Sequence, residues 1–304
     1  MKKEILLIAN PCAGKGKVIK YMTKICNNLK KQGYKLELIY TSENYNGEDI
    51  IMNYIRYIDA VVVCGGDGTL NEVINGIMKC NKKINVTFIP FGTTNDFSRT
   101  VKMPRSIFKL SKKLSKYSQK NVDVGKFNNR YFYYVAAFGV CTNVSYTTNQ
   151  KEKNRYGKWA YYKRGIKELR KIKKIPTYKT TIVTDNEIIK DEFIYGGITN
   201  SISIGSFKWF KKNDFSLNDG LFEIILIKNP PNLWGLLRIL ISILRKKYDQ
   251  KNIYYIKSKH LQIEFEQNVD WTLDGEFGGS EKNILIENNK NKLGILVPKK
   301  GEKE

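Results

Sequence analysis

Three short apolar runs in this sequence are each followed directly by a glycine-containing turn. NPCAG follows residues 4–9, GGDGT follows residues 60–64, and PFGTTND begins at the last residue of 85–90. Runs that are this short and continuously apolar are typical of strands buried in a parallel sheet. In an open α/β sheet, the loops at the carboxyl ends of the strands line the ligand crevice. The three turns therefore predict a ligand site along one edge of a parallel sheet.

The residues between these runs favour helices. Helical patterns end near Lys31 and extend over 48–57 and 70–79, while KLELIYT at 35–41 alternates like a further strand. Alternating strands and helices predict a parallel sheet covered by helices. The first part of the chain is therefore expected to be an α/β domain.

The sequence changes character after about residue 120. Apolar and aromatic runs now flank hairpin signals at Asn128-Asn129 and Asp185-Asn186, which predicts mainly antiparallel strands. The same half contains two helical patterns, near 156–173 and 233–247, and its last strand-like run fits either domain. Further strand candidates are 222–228, 260–266, 271–277 and 293–298.

The glycine-rich turns suit a phosphate ligand. Glycine lets the backbone approach phosphate oxygens and direct N–H groups at them, and the helix predicted to start near Leu70 adds the positive end of its dipole. The familiar signatures GxxxxGK[ST] and HRD with DFG are absent, and no GxGxxG opens the first strand–helix unit. A nucleotide site of another type is therefore expected.

NPCAGKGK, GGDGTLNEV and PFGTTNDFSR, together with LDGE at 273–276, resemble the motifs of the diacylglycerol kinase catalytic-domain family. The resemblance extends over nearly the whole chain and is strongest to the soluble bacterial enzymes. It implies an α/β domain related to NAD kinase and phosphofructokinase, then a β-sandwich domain, with ATP between them. The implied domains are 1–125, rejoined by 285–304, and 126–284.

The resemblance also implies the chemistry: with ATP and Mg²⁺, the enzyme phosphorylates a lipid hydroxyl, that of diacylglycerol to give phosphatidic acid, and Asp274 is the general base. From the residues alone, Asp274-Gly275 equally predicts a hairpin turn, and Asp67 equally predicts a helix cap. By similarity, the nucleotide is lined by Asn10, Pro11, Cys12, Ala13, Gly14, Thr41, Gly65, Gly66, Asp67, Gly68, Thr69, Leu70, Asn71, Thr93 and Glu276.

A structural Mg²⁺ is implied at the SLNDG loop. It would be held by the Asp219 carboxylate and the carbonyls of Ser216 and Leu221, a donor set that suits Mg²⁺. The first motif departs from the family, because Cys12-Ala13 occupy a place where Ser or Thr is usual. Backbone N–H groups must then replace a hydroxyl contact to phosphate.

The charge predicts anionic partners. The chain has 53 Lys+Arg against 29 Asp+Glu, a formal net charge of +24, which favours binding to anionic lipid, nucleic acid or phosphorylated substrates. Residues 151–174 hold eleven Lys/Arg with interleaved aromatics, and 233–248 is apolar and then basic. Both segments suit a membrane surface, although 151–174 also suits a solvated helix face and 233–248 is more typical of a core helix.

Other residue counts narrow the class of protein. The five cysteines show no CxxC spacing and the chain has one histidine, His260, so a disulfide framework, a cysteine zinc site and a Ser-His-Asp triad are not expected. No run is long enough to span a bilayer. We expect a cytoplasmic enzyme at the inner face of the membrane, without a specific nucleic-acid partner, and leave a homodimer open.

Three alternatives remain. The acceptor lipid could instead be phosphatidylglycerol, undecaprenol or a sphingoid base. A NAD kinase-like enzyme shares GGDGT but lacks the PFGTTND motif in this context. A non-enzymatic basic protein that binds membrane or nucleic acid would have no need of Asp67, Asp274 and Glu276, which are all present.

Overall fold

The computed structural model divides the chain into two compact units, 1–122 with 291–304 and 123–290. The residues that it describes are 3–92, 95–104, 106–140, 176–204, 207–210, 215–248 and 251–299. The basic segment 151–174, the helix expected at 156–173, Thr93 and Cys141 lie outside these ranges.

The first unit alternates strands and helices. Its elements are β1 (Glu4–Ala9), α1 (Lys17–Lys30), β2 (Lys35–Tyr40), α2 (Gly47–Tyr54), β3 (Ala60–Gly65), α3 (Asp67–Lys79), β4 (Asn85–Pro90), α4 (Asp96–Thr100) and α5 (Ile107–Lys112), with short 3-10 helices at Ile55–Tyr57 and Leu114–Lys116.

The strands of the first unit form the expected parallel sheet. β1 pairs with β2 and with β3, and β3 pairs with β4, all in parallel. The spatial order β2-β1-β3-β4 reverses direction between β1 and β3. Such a reversal is the topological switch point at which open α/β sheets bind ligands. The loops after β1 and β3 therefore stand beside each other at that point.

Local sequence explains the helices that cover this sheet. In α1 the residues Val18, Met22, Ile25 and Leu29 are buried, and their spacing places them on one helical face. The helix α2 begins at a capping box, in which the Asn46 side chain accepts backbone N–H groups while Asp49 bonds back to the cap. This arrangement satisfies donors that a helix start leaves open.

The second unit is mainly antiparallel. The strand β5 (Ser118–Phe127) enters it from the first unit and β15 (Glu276–Val297) returns, so that Gly294 and Ile295 pair in parallel with β4. The remaining elements are β6 (Arg130–Phe132), β7 (Val135–Gly139), β8 (Tyr178–Thr184), β9 (Ile188–Thr199), β10 (Ser203–Ile204), β11 (Phe207–Lys208), β12 (Phe222–Lys228), α6 (Leu233–Arg245), β13 (Ile253–Ser258) and β14 (His260–Leu273).

The main ladders of this unit share strands, and its arrangement as a β-sandwich stays a prediction. The described strands β13-β12-β9-β7-β14-β15 follow one another in a single hydrogen-bonded order, and β8 also joins β9 to β14. The long strands β9 and β14 pair with β8 near one end and with β7 near the other. Strands that would belong to separate sheets of a sandwich thus share partners.

Alternation along each strand creates two apolar cores in the second unit. Phe222, Ile224 and Leu226 of β12 lie in a large cluster that includes Trp271. Ile225 and Ile227 of β12 point to the opposite face and pack with α6 in a smaller cluster, because successive side chains of a strand face opposite sides. The hairpins predicted at Asn128-Asn129 and Asp185-Asn186 are both present.

Candidate functional site

The turn after β1 is built around Asn10. The Asn10 Oδ1 atom accepts the N–H of Cys12 at 2.9 Å, and the Ala13 N–H donates to the Asn10 carbonyl at 3.1 Å. The Asn10 Nδ2 atom also donates to Thr69 Oγ1 at 3.1 Å. An asparagine that bonds its own following backbone forms a compact turn. One side chain therefore shapes the first turn and ties it to the second glycine-rich segment.

Gly14 brings the first turn against the segment after β4. Its φ is +61°, in the left-handed region, and a Cβ added there would lie 2.9 Å from the Phe91 carbonyl oxygen. Only glycine meets both conditions at low cost. Since the Phe91 N–H donates to the Gly65 carbonyl at 2.8 Å, all three glycine-rich segments are in contact. The edge predicted from the sequence is thus a connected surface.

The second segment is helical earlier than the sequence suggested. The helix α3 begins at Asp67 rather than at 70, and the Leu70 N–H donates to the Gly66 carbonyl at 3.2 Å. GGDGT is therefore a strand end followed by the first helical turn, not an extended loop. Its half-buried residues Gly66 to Gly68 lie where backbone N–H groups and the helix dipole favour an anion.

Asp67 is positioned by the third segment. Its Oδ2 atom accepts the backbone N–H of Asn95 at 3.0 Å, and Asn95 has a left-handed φ of +47°. The two glycines beside this contact are close, because a Cβ on Gly92 would lie 3.0 Å from Gly66 Cα. Asn95 belongs to the PFGTTND motif but was not among the predicted site residues, and its role in orienting Asp67 emerges only from the tertiary contact.

Thr41 and Asn71 border the same surface. Thr41 follows β2, is buried, and donates its N–H to the Ala9 carbonyl at 3.0 Å. Asn71 is buried in α3. The predicted residues Asn10–Gly14, Thr41 and Gly65–Asn71 are therefore assembled at one edge of the first unit's sheet.

Asp274 lies in the second unit at the turn between β14 and β15. Both Asp274 and Gly275 have positive φ, and Leu273 pairs with Glu276, as in a two-residue hairpin. The Asp274 side chain is buried, and its carboxylate accepts three backbone N–H groups. The donors are Tyr134 at 2.9 Å and Val135 at 3.0 Å to Oδ1, and Tyr133 at 3.2 Å to Oδ2.

These contacts go beyond what a hairpin turn requires of Asp274. The hairpin prediction is confirmed, but a turn residue alone would leave its carboxylate in water. Here the three N–H groups hold the carboxylate in one orientation. Glu276, the other acid of LDGE, is exposed at the start of β15. The arrangement provides one oriented, buried carboxylate that can accept a proton, and one carboxylate open to solvent.

Comparison with known proteins identifies the family. The sequence profile of the diacylglycerol kinase catalytic domain matches residues 4–127. A Staphylococcus saprophyticus diacylglycerol kinase is 31% identical over 308 residues, covering 98% of this chain and 96% of its own length. The chain belongs to the diacylglycerol kinase family. It is accordingly an enzyme, a lipid kinase.

Further relatives agree with this membership. The Bacillus subtilis (strain 168) diacylglycerol kinase is 29% identical over 280 residues, covering 91% of each chain. A Bacillus anthracis (strain Sterne) crystal structure, of a protein proposed to be a diacylglycerol kinase, superposes with a TM-score of 0.82 at 29% identity. It covers 97% of this chain and 95% of the other. The similarity therefore extends through both units.

The SLNDG loop of this lipid kinase contains the oxygen atoms that were predicted to hold Mg²⁺. Asp219 Oδ1 accepts the Leu221 N–H at 3.1 Å, while the Gly220 N–H donates to Asp123 Oδ2 at 2.7 Å. Carboxylate and carbonyl oxygens are the donors that Mg²⁺ prefers, so the loop fits the ion.

The loop stands in an acidic environment. Asp123 and Glu223 are both fully buried. Burial raises the pKa of Glu223 to about 7, with Asp219 adding to the rise and Lys257, whose Nζ is 3.1 Å from Glu223 Oε1, opposing it. A cation would relieve this concentration of carboxylates. Asp123, which lies in the VDVG stretch, was not predicted as part of the site, because only the fold brings it to the loop.

No described helix of this lipid kinase is long and apolar enough to cross a membrane.

Proposed function

We propose that this enzyme transfers the γ-phosphoryl group of ATP to the free hydroxyl of a diacylglycerol and forms phosphatidic acid and ADP. The observation that carries the proposal is the contact of three glycine-rich segments at the sheet edge of a diacylglycerol kinase family member. Curated relatives that match over nearly the whole chain carry the name diacylglycerol kinase.

The first unit supplies the proposed nucleotide site. Gly14 and Gly92 let the three segments pack closely, because a Cβ would lie 2.9 Å from the Phe91 carbonyl oxygen and 3.0 Å from Gly66 Cα respectively. Phosphate oxygens could approach backbone N–H groups at the start of α3. Asp67 would coordinate the Mg²⁺ that accompanies ATP, with its carboxylate oriented by Asn95. The Mg²⁺ would neutralise charge on the phosphates. Cys12 is exposed in this turn, and we propose only that its backbone contributes.

Asp274 is the proposed general base. The acceptor hydroxyl oxygen would form a bond to the γ phosphorus while the bond from that phosphorus to the β–γ bridging oxygen breaks, leaving ADP. The hydroxyl proton would pass to the Asp274 carboxylate. Since a base must be held in a productive orientation, the three backbone N–H contacts to Asp274 support this role. Thr93 and Glu276 complete the proposed nucleotide set by similarity alone.

A labelled-ATP assay over a panel of acceptors tests the proposal. Purified enzyme with Mg²⁺ receives diacylglycerol, phosphatidylglycerol, undecaprenol, sphingosine or NAD, each in the same detergent. We expect label in phosphatidic acid and little elsewhere. Preferential labelling of another lipid would replace diacylglycerol as the substrate and keep the lipid-kinase chemistry. Labelled NADP, or no labelled product from any acceptor, would overturn the proposed reaction.

A further inference from the structure

The helix α6 of the second unit is firmly seated on one face. Its Asn232 cap accepts the Gly235 N–H at 2.9 Å, and Ile239 is buried in the small cluster formed with Ile225 and other residues of β12 and β13. Lys246 ends the helix in a left-handed conformation, and its Nζ atom donates to the Phe210 carbonyl at 3.1 Å. The prediction of a core helix is therefore correct for one side only.

The other face of α6 is apolar and exposed. Trp234 and Leu244 are 73% and 74% exposed, and three further residues are also exposed: Leu237, Leu240 and Ile241. At 100° per residue these five side chains occupy an arc of about 120°. The outward side of a surface helix is normally polar, and a contiguous apolar patch marks an interaction site. This patch therefore requires a partner.

Charge indicates what that partner is. Arg238 and Arg245 are exposed along one edge of the apolar arc, and Lys246 and Lys247 follow at its end. No Asp or Glu occurs anywhere in residues 229–248. A second copy that docked through the same face would bring these cations against each other, whereas a surface of anionic headgroups over an apolar interior matches both features.

Helix length gives the orientation. The 13 residues of α6 extend for about 20 Å, which is shorter than the hydrocarbon core of a bilayer, about 30 Å. A helix of this length, with one face packed on β12, can only lie along the surface. Apolar side chains can then enter the boundary of the acyl chains while arginines reach the headgroups.

We propose that α6 docks this enzyme on anionic phospholipid bilayers, with the exposed apolar arc inserted and Arg238 and Arg245 at the headgroups. This docking proposal rests on the proposed function in one respect, that the substrate is a membrane lipid. Vesicle binding itself is measured without catalysis. The protein is sedimented with vesicles of equal parts phosphatidylglycerol and phosphatidylcholine, in the absence of ATP and diacylglycerol.

The test variant is Leu237→Glu combined with Leu244→Glu, and the matched control is Ile188→Glu. All three side chains are exposed in the second unit, Ile188 at 65%, and none belongs to its two apolar core clusters. We expect the double variant to bind the vesicles at least tenfold more weakly and the control to bind like wild type. A vesicle-induced blue shift of tryptophan emission should be lost in Trp234→Phe.

Other outcomes overturn the proposal. Equal vesicle binding by wild type and the double variant would refute docking through α6. A wild-type dimer that the double variant disrupts, with vesicle binding unchanged, would identify a second copy as the occupant. Failure of the kinase proposal gives a different result: no phosphorylation of a water-soluble short-chain diacylglycerol, with vesicle binding intact. If both proposals hold, the double variant keeps that short-chain activity while losing activity on vesicles.

Discussion

Replacing Asp274 with Asn separates its proposed catalytic role from its structural one. The carboxylate accepts N–H groups from Tyr133, Tyr134 and Val135 at 2.9–3.2 Å. An asparagine oxygen can retain the two contacts now made by Oδ1, but its NH₂ group would face the Tyr133 N–H. The variant therefore loses a negative charge and the hydrogen bond from Tyr133 in a buried position, and its two remaining hydrogen bonds are no longer charge-assisted.

The expected magnitudes differ enough to be separated. Loss of a hydrogen bond to a charged group costs about 1.5–3 kcal/mol, and single domains unfold with about 5–15 kcal/mol. If the largest loss, about 3 kcal/mol, is taken from the smallest stability, about 5 kcal/mol, the free energy of unfolding is still about 2 kcal/mol. The folded form then remains in excess by roughly thirty to one. Loss of a general base lowers the rate by about 10²–10⁴-fold. Unfolding cannot produce a decrease of that size.

The assay measures kcat on diacylglycerol and the free energy of unfolding in urea for the same preparations. The matched control is Asp185→Asn, because Asp185 also accepts backbone N–H groups at a hairpin of the second unit, from Lys259 at 2.6 Å and His260 at 3.2 Å. We expect both variants to lose stability and only Asp274→Asn to lose activity. Retention of activity by Asp274→Asn, or an equal loss in the control, would refute the general-base assignment.

Three further predictions concern the loops and the metal. Gly14→Ala and Gly33→Ala both place alanine at positive φ, at a cost of about 1–2 kcal/mol each. A Cβ on Gly14 would also lie 2.9 Å from the Phe91 oxygen, whereas a Cβ on Gly33 would have nothing within 4 Å. Calorimetry should show a larger loss of stability and of ATP binding for Gly14→Ala, and equal losses would contradict the contact. Although partial burial acts in the opposite direction, hydrogen bonds from Lys259, Ser258 and His260 hold the pKa of Asp185 well below its usual value. Because the pKa of Asp185 is lower in the folded protein than in the unfolded chain, the stabilisation by its carboxylate is complete above about pH 5 and is lost as pH falls. The stability difference between wild type and Asp185→Asn should therefore shrink in urea titrations at low pH. A constant difference would exclude this linkage. Mg²⁺ at a hundredfold excess over its dissociation constant should stabilise wild type by about 2.7 kcal/mol and should not stabilise Asp219→Ala, as measured by thermal unfolding with and without EDTA; an equal response would remove Asp219 from the site.

Much of the fold was accessible from local patterns. The strands at 4–9, 85–90 and 222–228 have the bounds that the sequence suggested, because continuous apolar runs between turn residues are short-range signals. The start of α3 was placed three residues late, since the glycines of GGDGT indicate a loop when tertiary contacts are unknown. The main antiparallel ladders of the second unit depend on which strands pair, and those partners lie far apart in the chain.

The sequence by itself determined the family, the glycine-rich segments and the acids that the proposed chemistry uses, because these are fixed by residue type and spacing. Only the tertiary structure decided what surrounds those residues. It buried Asp274 beneath three N–H groups, set Asn95 against Asp67, and brought Asp123 to the SLNDG loop. It also decided which face of α6 is exposed. The physical reason is the same in each case: burial and hydrogen bonding are set by residues distant in the chain, and no local pattern encodes them.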